Sequence, residues 1–359
     1  EKFDGVNHNK VDEYVKSQGL LELRENFVRY TKLTVPGTKD LTVENCLITE
    51  GGSEALTNLS YTLFNHNEKI IIPEPFYANY KSFFGVNDVE ILPCTTDIRK
   101  NFSLENVVED IREKAKDPSV KGLLITNPNN PTGAVYSEEE MTAIADIVKE
   151  HDLWLIGDEV YRELVYDDAI PRSFLSIEKI RNNVIVIDSV SKKWSACGAR
   201  VGAMFSYNED VITNFIKTLQ ARLSAPRTSQ IGSSAMIGAD ADILEKRQRG
   251  KTDEKTSVEI VCERYSRRRK AAHDIFAKHG IVCGYPKGAL YMMADLGKID
   301  GKPINAEDFC RFLLEEFRVD GKTTMVTMAE NFYKNTELGF SQIRLAFVLS
   351  EEQTKEAAE

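Results

Sequence analysis

The sequence predicts an α/β protein in which a mostly parallel, mixed sheet lies between two layers of helices, followed by a smaller α+β domain. Two observations lead to this fold class. Over the first two thirds of the 359 residues, short apolar runs alternate with segments of helical periodicity, as in doubly wound sheets. Several of these runs are apolar throughout, which is typical of parallel strands that are buried on both faces.

The elements of the large domain follow one another in a regular order. A helix over residues 20–34 has apolar side chains at helical spacing, and the run Val35-Pro-Gly that follows should end it. The segments that complete the alternation are a strand over 46–49, a helix over 54–64, strands over 70–72, 90–92 and 123–125, a helix over 138–151, and strands over 153–156, 184–187 and 202–205.

The last third of the chain has a different pattern, which predicts the smaller domain. A long helical segment extends from about residue 253 to 279, and we interpret its arginine-rich stretch, 264–270, as a solvent-exposed helix face and not as a nucleic-acid patch. Strands over 289–293 and 343–347 flank a helix over 305–317. The predicted division of the chain is an N-terminal arm at 1–19, whose start we expect to be truncated, a large domain at 20–255 and a small domain at 256–359.

Composition and charge narrow the class of protein. The chain has 46 Lys and Arg against 56 Asp and Glu, a formal charge of -10, which disfavours a nucleic-acid or anionic-membrane partner. The six cysteines are scattered and show no metal-binding spacing with histidine, so we expect reduced thiols and no bound metal. Because no apolar run reaches the length of a bilayer and no signal peptide is visible, we expect a cytoplasmic protein.

The most informative segment is the run Ser189–Gly202, which follows the apolar strand 184–187. Lys192 lies just past the end of that strand, where partial desolvation or a nearby cation would favour loss of its proton. The free amine can form a Schiff base with an aldehyde cofactor. Ser189 and Arg200 would then supply a hydroxyl and a forked cation to a phosphate group. The alternative is that Lys192 and Lys193 are surface lysines and that Arg200 caps an element.

A glycine pair follows the strand 46–49 and opens the next helix, in the run Gly51-Gly52-Ser53-Glu54. Glycine lets the backbone approach a ligand closely, and a helix N-terminus offers free N–H groups and a positive dipole end to a phosphate. Most turns of this kind are plain connections, so this signal is weak when taken alone.

Polar or aromatic side chains follow three further strands. Asn130, in the run 126–133, has an amide that can be aimed at a fixed ring atom, and Asp158 could hold a pyridinium N–H, with Tyr161 three residues later. Tyr77 could stack on a flat ring, with its neighbour Phe76 as an alternative. The competing interpretations are a plain loop for Asn130 and a solvated acidic turn for Asp158.

One arginine, Arg344, stands inside the apolar strand 343–347. A buried arginine is disfavoured unless it is paired. Its partner is therefore either an internal carboxylate, in a structural ion pair, or the carboxylate of a substrate.

Taken in order and spacing, these motifs resemble the class-I aminotransferases, which have the type-I pyridoxal-phosphate (PLP) fold. The resemblance extends from about residue 14 to 347. It rests on the lysine segment, on Asn-Pro-x-Asn-Pro-Thr-Gly at 127–133, and on the closing stretch from Met325 to Arg344, which looks most like bacterial-type aspartate aminotransferases. Tyr14, five residues before Gly19, matches the tyrosine that family members lend to the phosphate of the neighbouring subunit.

The resemblance implies a mechanism and a set of roles. Lys192 would bind pyridoxal 5′-phosphate and move the substrate proton, Asp158 would keep the ring nitrogen protonated, and Arg344 would orient the α-carboxylate. The other implied cofactor-binding residues are Gly52, Ser53, Glu54, Tyr77, Asn130, Tyr161, Ser189, Arg200 and the partner subunit's Tyr14. Asn130 would also contact the substrate.

The implied activity is transfer of an amino group from an amino acid, aspartate, to a 2-oxo acid, 2-oxoglutarate, by a homodimer. Three kinds of relative with the same cofactor remain as alternatives. These are an aromatic or alanine aminotransferase, a C–S β-lyase or aminocyclopropane-carboxylate synthase, and a non-catalytic regulatory module that binds the cofactor.

Overall fold

A seven-stranded sheet forms the centre of the large domain in the computed structural model, which describes residues 13–359. Its strands are β1 (Cys46–Thr49), β2 (Lys69–Glu74), β3 (Glu90–Thr95), β4 (Val120–Thr126), β5 (Trp154–Asp158), β6 (Val184–Ser189) and β7 (Gly202–Ser206). Their spatial order is β1-β7-β6-β5-β4-β2-β3. The pairs among β2 to β6 are parallel, whereas β7 is antiparallel to both of its neighbours. The predicted mixed, mostly parallel sheet is therefore confirmed.

Helices cover both faces of this sheet. They are α1 (Leu21–Thr34), α2 (Gly51–Leu63), α3 (Tyr80–Gly85), α4 (Val108–Ala115), α5 (Glu138–Glu150), α6 (Val190–Lys193), α7 (Glu209–Ala221) and α8 (Arg227–Gln248). Successive strand residues contribute to opposite faces, as the pleat requires. In β6, Val184 and Val186 belong to the core shared with α1 and α5, while Ile185 and Ile187 belong to the core shared with α2 and α7.

The C-terminal part contains α9 (Ser257–Lys278), α10 (Ala306–Glu315) and α11 (Glu351–Ala358). Its strands are β8 (Val282–Cys283), β9 (Tyr291–Asp295), β10 (Lys298–Ile299), β11 (Lys302–Pro303), β12 (Thr327–Met328) and β13 (Gln342–Ala346). Four of them form an antiparallel sheet in the order β12-β13-β9-β8, and β10 pairs with β11. This second sheet lies wholly within 256–359, the range that we assign to the small domain, and the boundary itself remains our proposal.

The sequence prediction missed the helices α3, α4, α6, α7, α8 and α11, and it misassigned one residue of α9. The sequence pattern predicted no helix over α8, which buries the polar residues Gln230, Ser233, Ser234 and Asp240, so its amphipathic stripe is weak. The arginine-rich stretch of α9 is not solvated throughout, because Arg269 is buried and pairs with both oxygens of Asp167 at 2.8 and 2.9 Å. The interpretation of that stretch as an exposed face is wrong at this one residue.

Three further observations bear on the class of protein. Within residues 13–359, no helix is long and apolar enough to span a bilayer. The same range holds no group of three or more His, Cys, Asp or Glu side chains arranged to bind a metal. All six cysteines are free thiols.

Candidate active site

Loops that follow five strands of the large sheet meet at one cavity of about 280 Å³. This is where ligands bind in open α/β sheets, because the carboxyl ends of parallel strands lie at the same edge. The lining residues are Gly52, Ser53, Leu56, Tyr77, Tyr80, Phe83, Thr126, Asn130, Asp158, Val160, Tyr161, Ser189, Ser191, Lys192, Cys197, Arg200, Tyr291 and Arg344. Ten of the predicted site residues are among them, while Glu54 and Tyr14 are not.

The two adjacent lysines have opposite environments. Lys193 is fully buried, and its Nζ lies 2.7 Å from Asp188 Oδ2 and 2.8 Å from Glu163 Oε2. Lys192 is partly exposed and lines the cavity, with its Nζ 5.9 Å from the centre of the Tyr161 ring. In the part of the chain that the structure describes, Lys192 has no carboxylate within ion-pair distance. Its amine is therefore the one that is free to react.

The carboxylates that bind Lys193 belong to a buried charge cluster beneath the loop. Arg162 contacts Glu159, Glu163 and Asp188 at 3.3, 2.8 and 3.3 Å. Burial raises the pKa of Glu159 to about 7. For Glu163, burial is outweighed by the Arg162 and Lys193 charges, which lower its pKa to about 2. These ion pairs hold the Lys192 loop against the sheet, since breaking one would leave a buried charge without a partner.

Asp158, the last residue of β5, has one bonded and one free carboxylate oxygen. Its Oδ2 accepts a hydrogen bond from the Tyr80 hydroxyl at 2.6 Å. Its Oδ1 is buried and has no hydrogen-bond partner among the residues that the structure describes. Burial raises the pKa of Asp158, and the Tyr80 hydrogen bond opposes that rise. A buried acceptor without a partner is costly, so Oδ1 is suited to accept an N–H from a ligand in the cavity.

Of the three asparagines in the loop after β4, two stabilise the loop and one lines the cavity. Asn127 Oδ1 accepts the Tyr136 N–H at 3.1 Å, and Asn129 Oδ1 accepts the Thr132 hydroxyl at 2.9 Å. These two side chains fix the loop itself. Asn130 lines the cavity, and its Oδ1 accepts a hydrogen bond from Arg344 Nη1 at 3.3 Å.

Helix α2 begins at the glycine pair, one turn earlier than predicted. Gly51 is the position of this pair that requires glycine. Its φ is +75°, and a Cβ there would lie 2.6 Å from Arg200 Nη2. Arg200 itself donates to Cys197 O at 3.2 Å and to Glu50 O at 3.3 Å, which brings its guanidinium to the first turn of the helix. The first N–H groups of a helix have no partner inside it, so Gly52 and Ser53 offer free donors beside this cation.

Two predicted cofactor contacts have other partners in the structure. The Glu54 carboxylate accepts from Arg222 Nε at 2.5 Å and from the Glu50 N–H at 2.7 Å. Because its carboxylate has these partners, Glu54 would contact a ligand through its backbone. Ser189 accepts the Ser191 N–H at 3.1 Å and donates to Val201 O at 3.0 Å. The Ser191 hydroxyl, which the sequence analysis missed, lines the cavity beside it.

Besides Tyr80, three tyrosines line the cavity wall. Tyr77 faces the cavity, whereas Phe76, the alternative considered for stacking, is buried in the core. The Tyr161 hydroxyl lies 3.4 Å from that of Tyr291. Burial raises the pKa of Tyr161 far above its usual value, so it remains a neutral phenol that can donate a hydrogen bond.

Arg344, on β13, faces the cavity without a carboxylate partner among the described residues. Its guanidinium lies over the rings of Tyr291 and Phe332, at 4.5 and 4.9 Å from their centres. Its Nε is buried and makes no hydrogen bond to residues 13–359. The internal ion pair considered for this arginine is therefore not formed within that range. Its positive charge is available to an anionic ligand.

Tyr14 lies outside the cavity of its own chain, and its side chain is 85% exposed. The rest of the predicted arm before Glu13 is outside the described residues. Glu13 itself forms an ion pair with Arg227, at the start of α8, at 3.3 Å.

Sequence reasoning missed further polar residues that line the cavity, among them Tyr80, Thr126 and Tyr291. Tyr80 comes three residues after Tyr77 in the same loop, a spacing that could have suggested a shared site. Tyr291 lies in the predicted strand 289–293, but nothing local distinguishes it from a core tyrosine.

A larger cleft than this cavity lies elsewhere on the part of the chain that the structure describes. It measures about 650 Å³ and contains none of the predicted site residues. Charged groups along it are paired with each other, such as Arg247 with Glu259 at 2.6 Å and Lys255 with Glu263 at 2.5 Å. Size alone therefore does not identify the active site.

A lysine amine, a buried carboxylate and two arginines surround one cavity at the edge of a mostly parallel sheet, an arrangement that suits an α/β enzyme acting on an anionic ligand. The chain belongs to the class I and II aminotransferase family, whose model matches residues 6–359. The activity that this membership supports is amino-acid transamination.

Curated relatives match most of the chain at modest identity. A probable aspartate/prephenate aminotransferase of Aquifex aeolicus is 28% identical over 350 residues, which cover 96% of this chain and 81% of the relative. The glutamate-pyruvate aminotransferase AlaA of Escherichia coli is 28% identical over 320 residues, covering 87% and 73%.

Solved structures agree in fold. A mutant of Thermus thermophilus aspartate aminotransferase superposes with a TM-score of 0.82 at 25% identity, covering 98% of this chain and 87% of the other. An aromatic aminotransferase from Pyrococcus horikoshii gives 0.83 at 25% identity with the same coverage. These relatives are named for different substrates. The comparisons therefore support transamination without specifying the amino donor.

Pyridoxal 5′-phosphate is the cofactor of this family, and the cavity has the groups that it requires. The buried Oδ1 of Asp158 has no partner in the described chain and can accept the N–H of a pyridinium ring. Arg200 and the N-terminus of α2 could provide positive charge to bind a phosphate. Lys192 lines the same cavity and could supply an amine for the aldehyde.

Proposed function

We propose that this chain transfers the amino group of aspartate to 2-oxoglutarate and that Lys192 is the residue that binds pyridoxal phosphate. The observation that carries the proposal is that two groups, each with an atom that lacks a partner among the described residues, line the same cavity. Lys192 has no carboxylate partner in the described chain, and Asp158 has a buried oxygen without a hydrogen bond. An amine and an acceptor of this kind suit the aldehyde and the ring nitrogen of the same cofactor.

The bound cofactor supplies an electron-accepting ring that stabilises a carbanion at the substrate's Cα. Asp158 Oδ1 holds a proton on the ring nitrogen, which keeps the ring electron-poor. Lys192 Nζ would remove the proton at Cα as a general base. Because Lys193 is held by Asp188 and Glu163, it cannot replace Lys192 in this role.

The remaining cavity residues bind and orient. Arg200, Ser53 and the Gly52 N–H would hold the phosphate, with the Ser191 hydroxyl as a further donor, since the predicted Ser189 hydroxyl donates to Val201 O. Tyr77 stacks on the ring. Tyr161 and Asn130 donate hydrogen bonds to the ring's phenolic oxygen, since burial keeps Tyr161 in its neutral, proton-donating form.

The substrate's α-carboxylate binds Arg344, whose guanidinium lies over two aromatic rings and donates a hydrogen bond to Asn130. Among the described lining residues, Lys192, Arg200 and Arg344 are the cations, and each already has a role. The second carboxylate of aspartate would thus be bound by neutral donors or by a residue of another chain. Support for aspartate comes from relatives that are named as aspartate aminotransferases.

A panel of amino donors with 2-oxoglutarate tests the proposed specificity. We expect glutamate to form fastest from aspartate, and more slowly from alanine, phenylalanine and tyrosine. If alanine or an aromatic donor is preferred, the choice of aspartate is wrong and transamination stands. If the purified protein with added cofactor forms no glutamate from any donor, the proposed activity itself fails.

Arg344→Lys should weaken substrate binding and leave the cofactor unaffected. Lysine keeps the charge but loses the planar two-pronged donor and the stacking on Tyr291 and Phe332. We expect the KM for amino acids to rise about tenfold or more, while the absorbance spectrum of the bound cofactor is unchanged. An unaltered KM for every donor in the panel would assign Arg344 a purely structural role.

We also propose that the working unit is a homodimer in which Tyr14 of one chain contacts the phosphate bound by the other. Tyr14 is 85% exposed and does not line its own cavity, so its phenol is free to reach a second chain. A twofold interface would exchange the two arms reciprocally. A cytoplasmic location is proposed with it, because free thiols persist in a reducing compartment.

Mixed dimers test this arrangement. When Tyr14→Phe chains are combined with Lys192→Ala chains, one site of the heterodimer carries both changes and the other carries neither. Activity per intact lysine should therefore exceed that of the Tyr14→Phe homodimer. If proven subunit exchange brings no such gain, or if sedimentation shows a monomer at assay concentration, the shared site is disproved.

A further inference from the structure

A buried chain of hydroxyl groups lies behind Asp158. Tyr80, the first residue of α3, is fully buried, and its hydroxyl lies 2.6 Å from Asp158 Oδ2 and 2.7 Å from Thr126 Oγ1. The three residues come from the loop after β2 and from the ends of β4 and β5. Tertiary packing therefore joins three separate parts of the cavity through one phenol.

The direction of each hydrogen bond follows from the chemistry. A phenol has a single proton, and the carboxylate can only accept, so Tyr80 donates to Asp158 Oδ2. The hydroxyl of Thr126 must then donate to the Tyr80 oxygen. In this series of hydrogen bonds, Asp158 Oδ2 accepts from the protein, and Oδ1 remains as the acceptor for a ligand.

We infer that Tyr80 is a positioning residue that acts through Asp158, selecting a ligand with a protonated ring nitrogen, and that Thr126 orients it. The inference rests on the proposed function, because Asp158 must contact that nitrogen. Tyr80 packs edge-on against Tyr77, with ring centres 5.6 Å apart, so the same side chain also supports the wall on which the ring would stack. A purely structural phenol would stabilise the fold without affecting ligand choice.

Tyr80→Phe separates the two roles, since it keeps the ring and removes only the hydroxyl. The readout is the affinity of the full-length apoenzyme for two probes, pyridoxal phosphate and its carbocyclic analogue with C–H in place of the ring nitrogen. Wild type should prefer pyridoxal phosphate, and Tyr80→Phe should reduce that preference about tenfold or more, as expected for a hydrogen bond to a charged group. Asp158→Ala should abolish the preference.

Thr126→Val tests whether the hydroxyls act as one chain. Alone it should reduce the preference in the same direction and to a smaller extent. Combined with Tyr80→Phe it should add nothing, because both changes act through the same carboxylate oxygen. Additive losses would contradict the relay from Thr126 to Asp158.

The pH dependence of binding gives a second, independent readout. Burial raises the pKa of Asp158. The Tyr80 hydrogen bond, the nearby Val160 N–H and the Lys192 charge lower it, and the Asp188 charge raises it. Loss of the Tyr80 bond should raise the pKa further. The carboxylate would then be protonated at higher pH, so the acid limb of the pyridoxal-phosphate affinity profile should move upward in pH.

Tyr166→Phe is the matched control. Tyr166 is equally buried, its phenol donates to Ala289 O, and it does not line the cavity. It should lower thermal stability comparably and leave the preference between the two probes unchanged. If wild type binds neither probe, the proposed function fails. If wild type discriminates and Tyr80→Phe discriminates equally well with an unmoved acid limb, only the inference about Tyr80 is overturned.

Discussion

Lys192→Ala should abolish transamination, with kcat lower by roughly 10⁴-fold or more, as for the loss of a covalent nucleophile in other enzymes. The reason is that no other described amine is free in the cavity. Borohydride reduction of the loaded enzyme followed by peptide mapping should find the cofactor on Lys192. The same treatment of Lys192→Ala should leave no covalent label.

Lys193→Met is the matched comparison for this prediction. Its cation lies between Asp188 and Glu163, so its loss should cost about 3–5 kcal/mol in free energy of unfolding and leave the label on Lys192. Denaturant unfolding of the two variants measures the difference, since Lys192 contributes no ion pair within residues 13–359. A label on Lys193, or no bound chromophore in the wild-type protein, would refute the central assignment.

Asp158→Ala should have the second-largest effect. Without the carboxylate the ring nitrogen loses its proton, and stabilisation of the developing negative charge is lost. Removal of a comparable electrostatic stabiliser costs about 3–4 kcal/mol, or roughly 10²- to 10³-fold in kcat. At saturating cofactor the variant should still carry the label on Lys192.

Steady-state kinetics at saturating cofactor, with Asp158→Asn in parallel, check this result. Asparagine keeps the shape and the hydrogen bond to Tyr80 but has no negative charge. Both variants should be impaired to a similar degree. A loss of less than about tenfold in kcat would mean that another acid carries out this function.

Much of the fold could be predicted because its signals are local. Apolar runs of strand length mark β2, β4, β5 and β6, and the capping box of Ser137 and Glu140 marks the start of α5. Segments whose burial includes polar groups escaped prediction. Helix α8 is the clearest example, because the buried side chain of Asp240 accepts hydrogen bonds from Trp194 at 2.8 Å and from the Ser257 N–H at 2.7 Å.

The sequence by itself determined which chemical groups reach the cavity from the strand ends. Lys192, Asp158, Asn130 and Gly52 each follow a predicted strand, and parallel strands bring their carboxyl ends to one edge. Periodicity and loop position are properties of neighbouring residues, so they can be interpreted without a partner. Lys192 was preferred to Lys193 because of its offset from Ser189 and Arg200 in the sequence, and the ion pairs of Lys193 add a physical reason for that preference.

Only the tertiary structure decided which of these groups are paired and which are free. Lys193 is neutralised by Glu163, thirty residues away in the sequence. Tyr80 meets Asp158 across 78 residues, and Arg344 meets Asn130 across 214. The energy of a buried charge or hydrogen bond depends on its partner and on the exclusion of water. Neither is encoded in the residues beside it, so a free amine and a free carboxylate oxygen can be recognised only once the chain has folded.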